Sequence, residues 1–196
     1  MRTTALARLF TLFASVAIGC SSTPTPTTLY LLPADVPRGS AAVTAPVRVG
    51  LGRVEVAPYL GEPGLVVETH DHQVRSARYH RWAEPLDAGL RHFLQIEISR
   101  ALGYDVASDI TQQKRWDYTV EIRVDRLHGT LGGEALLAAR WRIVPKKLGG
   151  EVTEFRFAAS EPLAREGYEG LVDAEIALTG QLAVAIAASL PQAPTR

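Results

Sequence analysis

Thiols and net charge are both scarce in this chain of 196 residues. Cys20 is the only cysteine, which excludes an intramolecular disulfide and a zinc site built from several cysteines. The 21 Lys and Arg balance the 21 Asp and Glu. A chain so close to neutrality lacks the basic patch on which nucleic-acid binding depends, so we expect no nucleic-acid partner.

Long apolar runs are missing as well, and a transmembrane helix needs about 20 apolar residues. The first run, residues 9–18, is too short. The second, residues 176–190, contains Thr179, Gln181 and Ser189, and therefore suits a helix buried in a protein core. Any membrane attachment should thus depend on something other than a spanning helix.

The N-terminus has the layout of a secretory signal. Two arginines lead into the apolar run, which ends at Ala17-Ile18-Gly19-Cys20. This ending resembles a bacterial lipobox, which implies lipid on the Cys20 thiol and removal of residues 1–19. The processed chain would keep 19 basic and 21 acidic residues, a formal charge of −2, and no free thiol.

The remaining chain divides into three segments. Residues 20–28 consist of the lipidated Cys20 and a run of Ser, Thr and Pro, which forms no core and is predicted to be a flexible tether. Residues 29–191 are predicted to form a single α+β domain, and residues 192–196 a disordered tail. In lipoproteins of this type, a residue other than Asp after the cysteine implies the outer membrane, and Ser21 fits that pattern.

Two helices are predicted from apolar periodicity. Leu86, Leu90, Phe93, Leu94 and Ile98 recur at intervals of three and four, with Pro85 before the first turn and Gly103 after the last. A second helix is predicted from about Tyr168 to Leu190, where Pro191 ends it.

Alternating residues predict the strands. The clearest is 117–127, where Tyr118, Val120, Ile122 and Val124 alternate with polar residues. Further strands are expected near residues 29–32, 47–56, 65–69, 73–80, 137–143 and 154–157, with a bulge near Gly50 or Gly52. Because alternation is typical of antiparallel sheets with one wet face, we predict a mostly antiparallel sheet with two long helices packed on one face. Opposite charges should pair on the other face.

Catalytic and metal motifs are weak. His70-x-His72 could bind a metal, although a polar hairpin turn explains it more simply. Ser160 lacks the G-x-S-x-G setting of a hydrolase nucleophile, and Gly129 to Gly133 lacks the Lys-Ser/Thr ending of a phosphate-binding loop. We predict a protein that is not an enzyme and needs no cofactor.

The segment from Tyr79 to Leu86 combines aromatic, charged and proline residues unusually densely. It could be a strand-to-helix junction in which Trp82 fills the core and Pro85 sets the first helical turn. The alternative is a partner contact, since Trp, Tyr and Arg are enriched at binding hot spots. The residue types favour the structural reading.

The lipobox, Tyr30-Leu31-Leu32-Pro33, the strand 54–60 and the Tyr79-to-Leu86 segment resemble the PqiC/YmbA family. These are auxiliary lipoproteins of ABC-type lipid transport systems linked to MCE proteins. The resemblance implies a non-catalytic adaptor, anchored in the outer membrane with its domain in the periplasm. It also implies a homo-oligomeric ring that docks an MCE-type partner.

The candidate residues are therefore one lipid anchor and a set of structural or partner-contact residues. They are Cys20 for the anchor and Pro58, Tyr59, Tyr79, His80, Arg81, Trp82, Glu84 and Pro85 for the contacts. An alternative function is a stand-alone periplasmic lipoprotein that binds a lipid or another amphiphile between its helices.

Overall fold

A computed structural model describes residues 25–33 and 47–191 of the chain. The predicted anchor Cys20, the signal 1–19 and the tail 192–196 lie outside these residues. The described elements are β1 (Thr28–Tyr30), β2 (Val49–Val56), β3 (Gly64–Glu68), β4 (Val74–Trp82), α1 (Leu86–Leu102), β5 (Tyr118–Thr130), β6 (Glu134–Pro145), β7 (Thr153–Pro162) and α2 (Tyr168–Ser189). Short 3₁₀ turns lie at Pro58–Leu60, His70–His72 and Ile110–Arg115.

The sheet is mixed, and the prediction of a mostly antiparallel sheet was wrong. Its order is β1-β4-β3-β5-β6-β7, and β2 also pairs with β5. The β3–β4 hairpin and the β5–β6–β7 meander are antiparallel as expected. However, β1 runs parallel to β4, and both β2 and β3 run parallel to β5.

The length of β5 explains this arrangement. Its 13 residues offer one edge long enough for two partners: β2 pairs with its first half, and the end of β3 pairs with Gly129 and Thr130. Side-chain alternation reports only which face of a strand is buried, and this pattern is the same in both strand directions. The direction of a neighbour depends on the connection between strands, which alternation does not reveal.

Both predicted helices are present, and both pack against the sheet. α2 packs on β5, β6 and β7, while α1 packs on α2 and β2. Gly103 ends α1 with a left-handed φ of 73°, as the sequence predicts. α2 is long and apolar enough to cross a membrane by length and composition, but here its apolar face lies in the core.

The bulge predicted near Gly50 or Gly52 is confirmed between Leu51 and Val54, where the pairing of β2 with β5 shifts register. Gly50 is required there because the Trp116 indole lies over its Cα: a Cβ at Gly50 would come 1.9 Å from Trp116 Cδ2. The turn between β5 and β6 is short, since Gly129 and Thr130 still belong to β5 and β6 begins at Glu134.

Candidate interaction surface

Three segments that are distant in sequence meet around Trp82. The Trp82 backbone N–H donates to Pro63 O at 2.8 Å, which joins the loop after β2 to the end of β4. The Ala83 N–H donates to Tyr30 O at 2.8 Å, which joins β1 to the same place. The Tyr30–Pro33, Pro58–Pro63 and Tyr79–Pro85 segments thus form one continuous region, which we call the junction.

Within the junction, Trp82 is a core residue. Only 7% of its surface is exposed, and it belongs to the same apolar cluster as Leu32, Leu86 and Leu90. This position accords with the structural reading of the segment. Pro85 precedes the helix with φ −53°, and its carbonyl accepts from the N–H groups of Ala88 and Gly89.

His80 lies in an aromatic stack. Its ring is 4.2 Å from the Tyr168 ring and 6.0 Å from the Tyr30 ring, measured between centroids. His80 Nδ1 and the Tyr30 hydroxyl are hydrogen-bonded at 2.9 Å. Burial, followed by the charge of Glu169, raises the pKa of the Tyr30 phenol. The stack connects β1, β4 and the first residue of α2, and no local sequence pattern pointed to Tyr168.

The other junction residues differ in exposure. Arg81, Glu84 and Pro85 are exposed, whereas Tyr79 is half-buried with the Arg78 guanidinium 5.4 Å from its ring centroid. The exposed residues offer side chains to a partner without any rearrangement of the core.

Pro58 and Tyr59 extend the junction toward β5. Pro58 is exposed and begins the 3₁₀ turn, as its fixed φ favours. The half-buried Tyr59 donates its hydroxyl to Asp125 O at 3.3 Å, and its ring meets the edge of His128 at 6.0 Å. Burial raises the pKa of the Tyr59 phenol. Tyr59 therefore holds the turn against β5.

The sheet face opposite the helices is an open ionic groove of about 480 Å³. The predicted pairing of opposite charges is confirmed there: Arg123 contacts Glu55 at 3.3 Å and Asp125 at 3.1 Å, and Arg142 contacts Glu121. A hydrogen bond from Arg53 is the main reason that the pKa of Glu55 lies below its usual value. These side chains are substantially exposed, so each pair contributes little to stability.

The two histidines of His70-x-His72 lie in the 3₁₀ turn between β3 and β4. His72 Nδ1 is 3.9 Å from Glu68 Oε1, and His72 is almost fully exposed. Across residues 25–33 and 47–191, no group of three or more His, Cys, Asp or Glu is arranged to hold a metal ion. The polar turn predicted for this segment is present.

One buried group escaped the sequence analysis. Glu175 lies on the buried face of α2, one turn from Leu171 and from Thr179, and is 1% exposed. Its Oε2 has no hydrogen-bond partner among the described residues. Burial raises the pKa of Glu175 to about 8. The apolar run noted in the sequence starts at residue 176, so the pattern left Glu175 just outside it.

Residues 30–187 match the family described as the ABC-type transport auxiliary lipoprotein component. The chain belongs to this family. The match starts at the last residue of β1 and ends two residues before the end of α2, so it covers nearly the whole described domain. Family membership makes the protein an auxiliary lipoprotein of ABC-type transport and accords with a role that is not enzymatic.

The chain is also similar to two intermembrane transport lipoproteins, PqiC of Escherichia coli K12 and PqiC of Shigella flexneri. Each is 26% identical over 189 residues, which cover 95% of this chain and 98% of the relative. The PqiC-like resemblance seen in the sequence is thereby confirmed.

Solved structures show the same fold. A crystal structure of an uncharacterized protein is 25% identical and superposes with a TM-score of 0.72, covering 85% of this chain and 100% of the other. Protein XCC0632 from Xanthomonas campestris is 14% identical with a TM-score of 0.65, covering 81% and 92%. The latter likeness concerns the fold alone.

Proposed function

We propose that this protein is a non-catalytic adaptor of an MCE-type, ABC-linked system that moves lipid between membranes. Lipid on Cys20 anchors it in the outer membrane, and its domain lies in the periplasm. Copies of the chain form a ring, and the ring docks the MCE-type partner. The protein acts by position: the anchor holds one end of the domain at the membrane, and the other end is available to the MCE-type partner.

The observation that supports this proposal most directly is where the family match begins. It starts at Tyr30, only about ten residues after Cys20, so the anchor and the folded domain are joined by a short segment. At an upper limit of roughly 3.3–3.6 Å per residue, that segment keeps the domain within a few tens of Å of the membrane. A short segment between anchor and domain suits a protein that holds a partner near a membrane.

The fold has a defined polarity relative to this anchor. β1 runs parallel to β4 beside its last residues, so the chain that precedes β1 comes from the end of the sheet where β4 begins. We call this the tether end; it holds the 70–72 turn, the 131–133 turn and the 163–167 loop. The loop between β6 and β7 lies at the opposite end and contains Leu148, which is 99% exposed. In our proposal that opposite end faces the periplasm, where the partner arrives.

The junction supplies candidate contacts between subunits or with the partner. Arg81, Glu84, Pro85 and Pro58 are exposed and lie around the buried Trp82. An arginine, a carboxylate and two rigid prolines give a polar surface of defined shape, which favours specificity over raw affinity.

The anchoring part is tested by Cys20→Ala, with Ser21→Ala as the matched control. We expect Cys20→Ala to lose the lipid-modified N-terminal peptide and the protein to leave the outer-membrane fraction, while Ser21→Ala keeps both. Mass spectrometry of the N-terminus and membrane fractionation measure this. Full complementation of a deletion strain by the unlipidated Cys20→Ala protein would contradict the proposed anchor.

The adaptor part is tested by purifying the tagged, lipidated protein from detergent-solubilised membranes and identifying what co-elutes. An MCE-type protein in a large assembly supports the proposal. A lone monomer that carries lipid would refute it and favour the alternative, a stand-alone amphiphile-binding lipoprotein.

A further inference from the structure

The tether end of the domain contains an apolar cleft beside the point where the tether joins the fold. Thr28 pairs with His80 near the end of β4, and because β1 runs parallel to β4, the chain before Thr28 points toward the start of β4. Val74 at that start pairs with Glu68, and Glu68 pairs with Thr130 at the end of β5. The tether therefore approaches from the end of the sheet that holds the 131–133 turn, and the stack of His80 on Tyr168 links β1 to the cleft.

The cleft has a volume of about 470 Å³, within the range of roughly 300–1,000 Å³ typical of ligand sites. The end of β3, the β5–β6 turn and the first residues of α2 form its walls. Val67, Leu131, Leu163 and Leu171 supply apolar surface, and Tyr168 joins the cleft to the aromatic stack.

Arg165 and Glu166 are the charged residues that line the cleft, and Arg165 is already engaged by its neighbours. Arg165 contacts Asp173 at 2.8 Å and Glu169 at 3.4 Å, both on α2. The cleft therefore offers apolar contact to a ligand more than it offers charge recognition. An aliphatic chain is the ligand chemistry that matches such walls.

Leu131 stands beside the cleft at the tip of the β5–β6 turn, and 59% of its surface is exposed. Gly132 and Gly133 complete the turn. Val74 at the start of β4 is also an exposed apolar residue at this end. Exposed apolar groups next to an apolar cleft are typical of a surface that contacts another molecule.

The tether decides which molecule is nearest. Thr25, the first described residue, lies five residues after Cys20, so the chain between them spans at most roughly 18 Å. A lipid-anchored Cys20 thus confines the tether end close to the bilayer, where the effective concentration of acyl chains is very high.

We propose that the tether-end cleft binds an acyl chain of a phospholipid from the anchoring membrane, with Leu131 as the side chain that enters the bilayer surface. This inference rests on the proposed function for the anchor at Cys20, and it adds a lipid-binding site to the adaptor. The adaptor would then draw a lipid partly out of the membrane at the end where the tether holds it.

The test uses the full lipidated protein in vesicles of phosphatidylethanolamine and phosphatidylglycerol, with a trace of phosphatidylethanolamine that carries a diazirine in one acyl chain. After illumination, mass spectrometry maps the lipid adducts. We expect adducts in the peptides that contain residues 129–133 and 163–171. Leu131→Asp should lower the adduct yield per vesicle-bound protein roughly tenfold, because a charge replaces aliphatic surface that the proposed lipid contact would bury.

Leu148→Asp is the matched control, since it makes the same change of charge at an exposed leucine of the opposite end. It should leave the yield unchanged, and both variants should keep the circular-dichroism spectrum and melting temperature of the parent. Equal yields in Leu131→Asp and the parent would overturn the proposal.

The other outcomes separate this inference from the anchor on which it rests. If the protein does not stay with the vesicles, the proposed anchor fails. If it stays but the adducts map elsewhere, the cleft proposal alone is wrong. Protein–protein crosslinks between the 129–133 turn and a second copy or another protein would also overturn it, because the cleft would then have a protein occupant.

Discussion

The buried carboxyl of Glu175 makes the stability of this protein depend on pH in a way that one substitution should abolish. The group is 1% exposed on α2, and its Oε2 has no hydrogen-bond partner among the described residues. Burial raises its pKa from 4.5 to about 8. An ionised carboxylate at this position would be poorly compensated, so the folded state holds the proton.

The sign and size of this pH dependence follow from the linkage between proton binding and folding. The pKa of Glu175 is higher in the folded state than in the unfolded state. The loss of stability that this difference causes is therefore absent below about pH 4.5 and grows as the pH rises toward 8. Each unit of pKa difference corresponds to about 1.36 kcal/mol. The free energy of unfolding should therefore fall by roughly 2.5 kcal/mol between pH 5 and pH 7 because of this residue alone.

Glu175→Gln keeps the shape of the side chain and removes the titration. The new amide N–H groups can lack partners and cost about 1–3 kcal/mol, but that cost does not change with pH. The informative quantity is the free energy of unfolding of the variant minus that of the parent, taken at pH 7 and again at pH 5. We expect the value at pH 7 to exceed the value at pH 5 by roughly 2.5 kcal/mol. Contributions that are common to both proteins cancel from this quantity.

Urea denaturation of both proteins, followed by circular dichroism at several pH values from 5 to 8, measures this quantity. Glu169→Gln is the control, because Glu169 is an exposed residue of the same helix. It should reproduce the pH dependence of the parent. If Glu175→Gln and the parent show parallel pH profiles, Glu175 is not the buried, protonated group that we infer.

Two further substitutions test the packing. Trp82→Ala removes a core indole at the junction and should lower the free energy of unfolding by about 3–5 kcal/mol in urea titrations. A loss below about 1 kcal/mol would mean that Trp82 does not fill the core. A fully stable variant that fails to assemble would make Trp82 a contact residue instead. Gly50→Ala should cost about 1–3 kcal/mol, because its Cβ overlaps the Trp116 indole, and Trp116→Leu in the same chain should recover part of the loss. Gly132→Ala, which meets only Thr130 Oγ1 at 3.5 Å, is the control and should change little.

Local patterns were sufficient wherever one element's own residues decide its structure. The apolar interval of three and four, together with Pro85 and Gly103, placed α1 to within a residue. The alternation around Val120 and Ile122 placed β5 and its polar face. These features depend on neighbours two to four positions apart, so they are readable in the sequence.

The candidate site was readable only in part. The density of the Tyr79-to-Leu86 segment and the family resemblance pointed to the junction, and the structure joins its three segments through backbone hydrogen bonds at Trp82 and Ala83. The choice of Tyr168 as the partner of His80 was not predictable, because the two residues are brought together by the return of α2 across the sheet.

The sequence by itself determined the family, the predicted anchor at Cys20, the helices and the amphipathic strands. Tertiary structure alone decided that β2 and β3 both run parallel to β5, that Glu175 is buried, and that Tyr168 lies between His80 and an apolar cleft. Strand direction and long-range contacts depend on how distant segments share a surface, and a local pattern of residues is the same for several such arrangements.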